Sequence, residues 1–160
     1  MDIPFEVPLD SDGYLRRQCP RCERHFKWHP NDEGDELHDE PREVAGQSVI
    51  YYCPYCGEES ASDQWWTDEQ VDFAQGLAAI EMMRLVEQNL GPSVDRINRS
   101  GGIVKLDLDV PTVTPPPPLI ELNDMIAVEP PCHPEEPIKI LDGWNEEIHC
   151  IVCGRRFVIE

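Results

Sequence analysis

The chain has 160 residues, and its 13 Lys plus Arg against 32 Asp plus Glu leave a formal charge of −19. That balance argues against a protein whose main work is to grip nucleic acid phosphates or an anionic membrane. With 16 prolines, 10 glycines and a hydrophobic fraction of 40%, any ordered part must be small, and seven cysteines offer the means to staple it.

The first residues, MDIPFEVPLDSDGYLRR, carry no basic start followed by an apolar core of signal-peptide type. No apolar run reaches bilayer-spanning length. The expected compartment is therefore cytoplasmic, where thiols stay reduced and cysteines read as metal ligands before they read as disulfides.

Residues 3 to 9 alternate Ile3, Phe5, Val7 and Leu9 with Pro4, Glu6 and Pro8, the period of a half-buried strand confined to a sheet edge by its prolines. Asp12-Gly13 marks a turn into Tyr14 and Leu15. A basic cluster follows, Arg16, Arg17, Arg21, Arg24 and Lys27, and then an acidic loop from Asp32 to Glu43. Runs of this kind ordinarily form solvated faces. Val49, Ile50, Tyr51 and Tyr52 make a short β-type run leading into Cys53, so residues 1–62 read as a small antiparallel β unit with an acidic loop.

Thr67 and Gln70 form a capping box in front of a helix expected from Thr67 to Leu90, with Gly91 and Pro92 as its stop. Val71, Ala74, Ala78, Met82, Leu85 and Val86 line one stripe. Phe73, Leu77 and Ile80 make a second apolar patch. Residues 63–100 thus form an amphipathic helix that is either packed between β units or shared with a second copy in a homodimer. Residues 101–118 read as a strand, Val104 to Val110 in period two, followed by an extended proline linker, PTVTPPPP, of about 3 Å rise per residue. Residues 119–160 are expected to be a separate module.

The cysteine spacing carries the chemistry. Cys19-Pro20-Arg21-Cys22 and Cys53-Pro54-Tyr55-Cys56-Gly57 supply four soft thiolates at the spacing that closes a tetrahedron around Zn²⁺. Proline after the first cysteine presets each turn, and Gly57 permits a left-handed backbone. A thioredoxin-like redox pair would need a strand-to-helix context that neither knuckle has. Cys150-Ile151-Val152-Cys153-Gly154 is a further knuckle, and its continuation through Arg155 and Phe157 echoes Arg24 and Phe26 after the first. Its matching half offers one thiol, Cys132, so the fourth ligand of a second Zn²⁺ site comes from elsewhere, most simply an imidazole: His133 is the first choice, His149 the second and Glu135 the third. Four thiolates around zinc carry about −2, and three with an imidazole about −1, which takes the net charge to roughly −22.

His133-Pro134-Glu135 ahead of a C-x2-C pair imitates the signature of zinc-dependent deaminases. The short spacing to Cys150, the lack of a helix pair and the surplus Cys132 weigh against it. No Ser-His-Asp set, phosphate-cradling loop or nucleophile elbow is present. His25, His29 and His38 read as surface or packing residues.

The two knuckles at 19–22 and 53–57 resemble those of zinc ribbons, and residues 128–160 resemble them in part. The order PPCHPEEPIKI then HCIVCG also resembles a family of small bacterial proteins with two zinc motifs, a likeness that implies no activity. The zinc-ribbon likeness implies service in transcription, translation or other macromolecular complexes. The expected fold is a small α+β protein, with two zinc-stapled antiparallel units joined by one long helix, a strand and a polyproline linker. The expected role is a non-enzymatic, acidic protein-interaction or adaptor module that meets a basic protein partner. The alternative is a nucleic-acid-binding or transcription-regulatory protein using Arg16, Arg17, Arg21, Arg24 and Lys27, with Phe26 and Trp28 as stacking platforms.

Overall fold

The computed structural model describes residues 6–29, 50–103 and 105–159. The acidic loop, His38 and the first residues of the expected amino-terminal strand lie outside them. The described residues divide into two compact units, one within 69–119 together with Glu6, the other within 7–68 and 120–159.

The described residues of the second unit form four hairpins. Strands β1 (Leu15–Gln18) and β2 (His25–Trp28) flank the first knuckle, and β3 (Ile50–Tyr52) and β4 (Glu59–Ala61) flank the second. After α1 (Asp68–Arg99) come β5 (Met125–Val128), β6 (Ile138–Leu141), β7 (Ile148–His149) and β8 (Arg156–Phe157). All pairings are antiparallel. Residues 6–10 carry no strand, in keeping with the missing N–H of Pro8 and the turn that follows. That turn is closed by bonds from Gly13 N–H to Asp10 C=O and from Asp10 N–H to Tyr14 C=O, with Gly13 at φ +85°.

The separate carboxy-terminal module expected beyond Leu119 is instead fused to the amino-terminal one. Strands run in the order β1-β2-β6-β5 in a single four-stranded sheet, with Lys27 opposite Lys139 and Trp28 opposite Ile138. The physical reason lies in two strands of matched pattern. His25-Phe26-Lys27-Trp28 and Ile138-Lys139-Ile140-Leu141 each place apolar side chains on one face and a lysine on the other, so pairing them completes both faces at once. Phe26, Ile138 and Ile140 are fully buried with Trp65, Tyr55, Ile148 and Ile151 on the apolar face. Phe26 meets Trp65 edge-on at 5.3 Å. The Tyr55 hydroxyl bridges the paired strands, donating to His25 C=O and accepting from Leu141 N–H.

The opposite face of the sheet is ionic. Lys27 and Lys139 are buried at 0% and 2% exposure, and both donate to one carboxylate oxygen of Asp10, at 3.0 and 2.8 Å. Glu121 and Asp124 complete Lys27, and Asp12 and Asn123 complete Lys139. Arg16 joins the same cluster through Glu121 and Asp124. Segments 10–14 and 121–124 are thereby tied across the sheet. Burial disfavours the charged Asp10 carboxylate, but the bonds from Lys139, Tyr14 N–H, Lys27 and Asp12 N–H outweigh it and hold the group far below the usual carboxylate range.

In the first unit α1 runs to Arg99, past the expected stop. Gly91 is absent from the positive-φ residues, and Pro92 lies inside the helix. Proline costs about 3 kcal/mol there, and the eight residues from Pro92 to Arg99 nonetheless stay helical. Past the last helical residue, Arg99, Gly101 turns the chain at φ +76°. Asn98 then grips the backbone of Leu106 in both directions, at 2.7 and 2.8 Å. Those two bonds take Leu106 out of ladder pairing, and residues 105–110 carry no strand despite their alternation. The proline segment expected as a spacer folds back, with Pro116 so close to Gly76 that a Cβ there would stand 2.9 Å from it. Among the described residues of the helix Gln70 is the buried one, and Met82 and Leu90 are exposed.

Candidate metal centres

Three hairpins build their knuckles identically. The N–H of Cys19, Cys53 and Cys150 donates to the carbonyl five residues on, in Arg24, Glu58 and Arg155, at 2.9 to 3.1 Å. The carbonyls of the same cysteines accept at 2.9 Å from Glu23, Gly57 and Gly154. Each of those last three residues has a left-handed backbone, at φ 58°, 71° and 68°. The glycine after the second cysteine was legible as the residue for this position, whereas Glu23 adopts it against its side chain. Backbone N–H groups then converge on sulfur. Cys19 Sγ accepts from Arg21 and Cys22 at 3.4 and 3.5 Å. Cys53 accepts from Tyr55 and Cys56, and Cys150 from Val152 and Cys153.

The β5–β6 hairpin differs. Its loop bends through His133 N–H to Pro130 C=O and Glu136 N–H to His133 C=O. Pro134 occupies the position, two after Cys132, that donates to sulfur in the other three hairpins. It has no N–H to give.

These four hairpins bring together two groups of donors. Cys19, Cys22, Cys53 and Cys56 form the first, and Cys132, His133, Cys150 and Cys153 the second, with the ligand atoms of each within 4.8 Å of one another. The Sγ atoms of the first group touch at 3.6 Å for Cys19–Cys56 and 3.7 Å for Cys22–Cys53. In the second, Cys132 and Cys153 are 3.4 Å apart, and His133 Nδ1 stands 3.4 Å from Cys150 Sγ. Both groups could hold a metal ion. Comparison with family models, curated proteins and solved structures gives no match to this chain.

Of the three candidates for the fourth ligand, His133 is the one in the group. His149 and Glu135 stand outside it. His149 has another task. Its ring lies against Gly57, where a Cβ would come within 2.9 Å of Nε2, and Nε2 accepts from Arg156. That leaves the Nδ1 proton for Pro54 C=O at 3.3 Å. Tyr52, which precedes Cys53 as His149 precedes Cys150, covers Gly154 in the same way, at 2.8 Å from a Cβ built there.

The backbone repeats the exchange. Tyr52 N–H donates to Ile151 C=O and His149 N–H to Pro54 C=O, both at 2.8 Å. The two knuckles are therefore locked reciprocally. Glycines with no Cβ are what allow the aromatic and imidazole rings to close over the partner knuckle.

Burial pushes the Cys53 thiol far up and the Cys150 thiol to about 12. In the metal-free fold these two are neutral at pH 7. Arg155 N–H is the main cause that draws exposed Cys153 down to about 7. Burial opposes ionisation of Cys22, but donation from Arg24 N–H and the neighbouring thiols prevails and lowers it. A cation in either group would have to displace the protons of its buried thiols, so its affinity falls with falling pH.

The basic cluster is divided between internal pairing and the surface, with Arg21 and Arg24 exposed. Lys27 is buried in the ionic face of the sheet, and Arg16 is paired with Glu121 and Asp124. Arg17 lies 5.0 Å from the Trp66 ring centroid, with a buried Nη1 that has no hydrogen-bond partner, and burial lowers it to about 10. Arg24 covers Trp144 and Tyr55, and Arg21 pairs with Glu58. Phe26 is in the core. Trp28 meets the Tyr51 ring edge-on at 4.4 Å and donates to Glu136. His25 and His29 are not in either donor group. His29 lies edge-on to Tyr14. No helix among the described residues is long and apolar enough to cross a membrane.

Proposed function

We infer that this chain is a non-enzymatic protein that binds two structural Zn²⁺ ions and serves as an acidic interaction or adaptor module for a basic protein partner. The observation that carries the metal reading is the completeness of both donor groups, four thiols in one and three thiols with an imidazole in the other, each within 4.8 Å. Soft thiolates in tetrahedral number with an imidazole suit Zn²⁺, and a filled set keeps no position for a reactive water. The zinc-ribbon likeness of the knuckles belongs to the same reading. Four of the hairpin connections in this unit carry the ligands, so the ions would do the work that its small core cannot.

The partner reading rests on the charge of −19. A pulldown with zinc-loaded chain as bait should retain a basic protein that is released by raised salt and lost when a chelator strips the metal. Retention of the same protein by the stripped chain would refute the adaptor reading. Self-association through helix 67–90 is part of the proposal, and sedimentation at several concentrations measures it. The nucleic-acid alternative is the weaker one because Arg16, Arg17, Arg21, Arg24 and Lys27 each have internal partners or rings. A mobility shift at low salt would revive it.

A further inference from the structure

The two donor groups differ in access and in backbone support. In the first, Cys19 and Cys53 are fully buried and Cys22 and Cys56 half-buried. In the second, Cys150 is buried, Cys132 is half-buried and Cys153 is exposed. Each of Cys19, Cys53 and Cys150 accepts N–H bonds from the two residues of its own turn, which spread the thiolate charge into the backbone. Cys132 has proline at the first of those positions and lacks that bond. The least supported thiol and the most exposed one are also neighbours, with sulfurs 3.4 Å apart.

We propose that Cys132 and Cys153 form an oxidation site, at which a peroxide-class oxidant converts the second donor group to a disulfide and expels its metal while the first group keeps its own. This rests on the zinc reading above. The exposed Cys153 thiolate attacks one peroxide oxygen, the O–O bond breaks, and hydroxide leaves a sulfenic acid on Cys153. The Cys132 thiolate then attacks that sulfur and displaces a second hydroxide as the S–S bond forms. The thiolate pair gives up two electrons, and the peroxide takes them with two solvent protons to become two waters. Zn²⁺ is left with Cys150 and His133 alone, half a coordination set, and dissociates.

The segment from Pro130 to Glu136 stays tied to the β7–β8 hairpin, now through the Cys132–Cys153 bond, while His133 and Cys150 lose the ion that joined them. The buried first group, with Arg21 and Glu58 paired beside it, offers a peroxide no exposed thiolate. The two sites thus divide into a permanent staple and a releasable one, and the releasable one answers to oxidants.

The test uses the full chain, purified anaerobically, with its zinc counted by native mass spectrometry before any oxidant is added. Hydrogen peroxide is then supplied in small molar excess, released zinc is followed with a chromophoric chelator, and disulfides are located by peptide mapping. The expected result is two zinc at the start, loss of one, a single Cys132–Cys153 disulfide, and restoration by dithiothreitol with added zinc. The variant Cys153→His keeps four donor atoms and should release its second zinc at least about tenfold more slowly. Two zinc at the start followed by simultaneous loss of both, by loss from the first group, or by any other disulfide overturns the oxidation site and leaves the zinc reading standing. Fewer than two zinc at the start overturns the zinc reading itself, and the oxidation site with it.

Discussion

Replacing Asp10 with asparagine removes one charge from the ionic face of the sheet and almost no volume. The asparagine Oδ1 keeps the bonds from Asp12 and Tyr14 N–H, both 3.0 Å in the parent, so the turn at 10–14 is spared. What is lost is the oxygen shared by Lys27 and Lys139, two buried ammonium groups opposite each other on β2 and β6. Breaking a buried ion pair costs about 3 to 5 kcal/mol. Lys27 retains Glu121 at 2.9 Å and Lys139 retains Asp12 at 2.5 Å, which places the loss at the low end, about 3 kcal/mol.

Urea unfolding of the zinc-loaded parent and variant at pH 7 measures it. The pH dependence is a second check. Asp10 is held below its ordinary value in the fold, so its stabilisation is complete above the unfolded carboxyl value of about 4 and is lost as pH falls through the folded value. The gap between parent and variant should stay constant from pH 7 to 5 and narrow below. Taking the difference cancels the acid sensitivity of the thiolate ligands, which the two proteins share. A gap under about 1 kcal/mol at pH 7, or one that widens on acidification, would refute the reasoning.

Gly154→Ala forces a side chain into a φ of +68° and against the Tyr52 ring, and should cost about 2 kcal/mol in urea unfolding, with partial relief in a Tyr52→Ala background. Glu23→Gly relieves a left-handed glutamate and should stabilise by about 1 kcal/mol in the same urea measurement. His149→Ala should keep both metals while loosening the reciprocal lock between knuckles, a pattern read by metal counting beside a thermal melt. Metal removal by a chelator should abolish the cooperative unfolding of residues 7–68 and 120–160, and near-ultraviolet dichroism of Trp65 and Trp28 reports it. Pro92→Ala should raise the helical dichroism and stabilise α1 by up to about 3 kcal/mol.

The two donor groups were legible because cysteine spacing is local. C-x2-C puts two sulfurs on one turn, and the residues that support them, Gly57 and Gly154, sit at fixed offsets. His133 was legible among three candidates, and His149 is kept away by the interlock with Gly57, a contact between segments more than ninety residues apart. The small α+β composition, the strand at Ile50–Tyr52 and the turn at Asp12-Gly13 likewise follow from short-range pattern.

What needed the structure is non-local. Nothing within residues 25–28 says that their partner is 138–141, although a lysine flanked by apolar residues in both HFKW and IKIL was a usable signal. Each lysine needed a buried acid, and Asp10 stood beside alternating apolar residues to supply one. The internal pairing of Lys27 and Arg16 within the basic cluster was not legible, because charge along the chain does not report which side chains the fold will pair. The alternation at 105–110 misled for a related reason, since period two specifies a face but not a neighbouring strand. Pro92 failed as a stop because a proline removes one hydrogen bond, and the helix beyond it, which runs to Arg99, has enough others.

Metal stoichiometry tests the central claim most directly. Chain purified without added metal should carry two zinc by native mass spectrometry, falling to one in Cys132→Ser, in His133→Ala and in Cys19→Ser. Fewer than two in the parent, or a count unchanged by His133→Ala, would contradict the account.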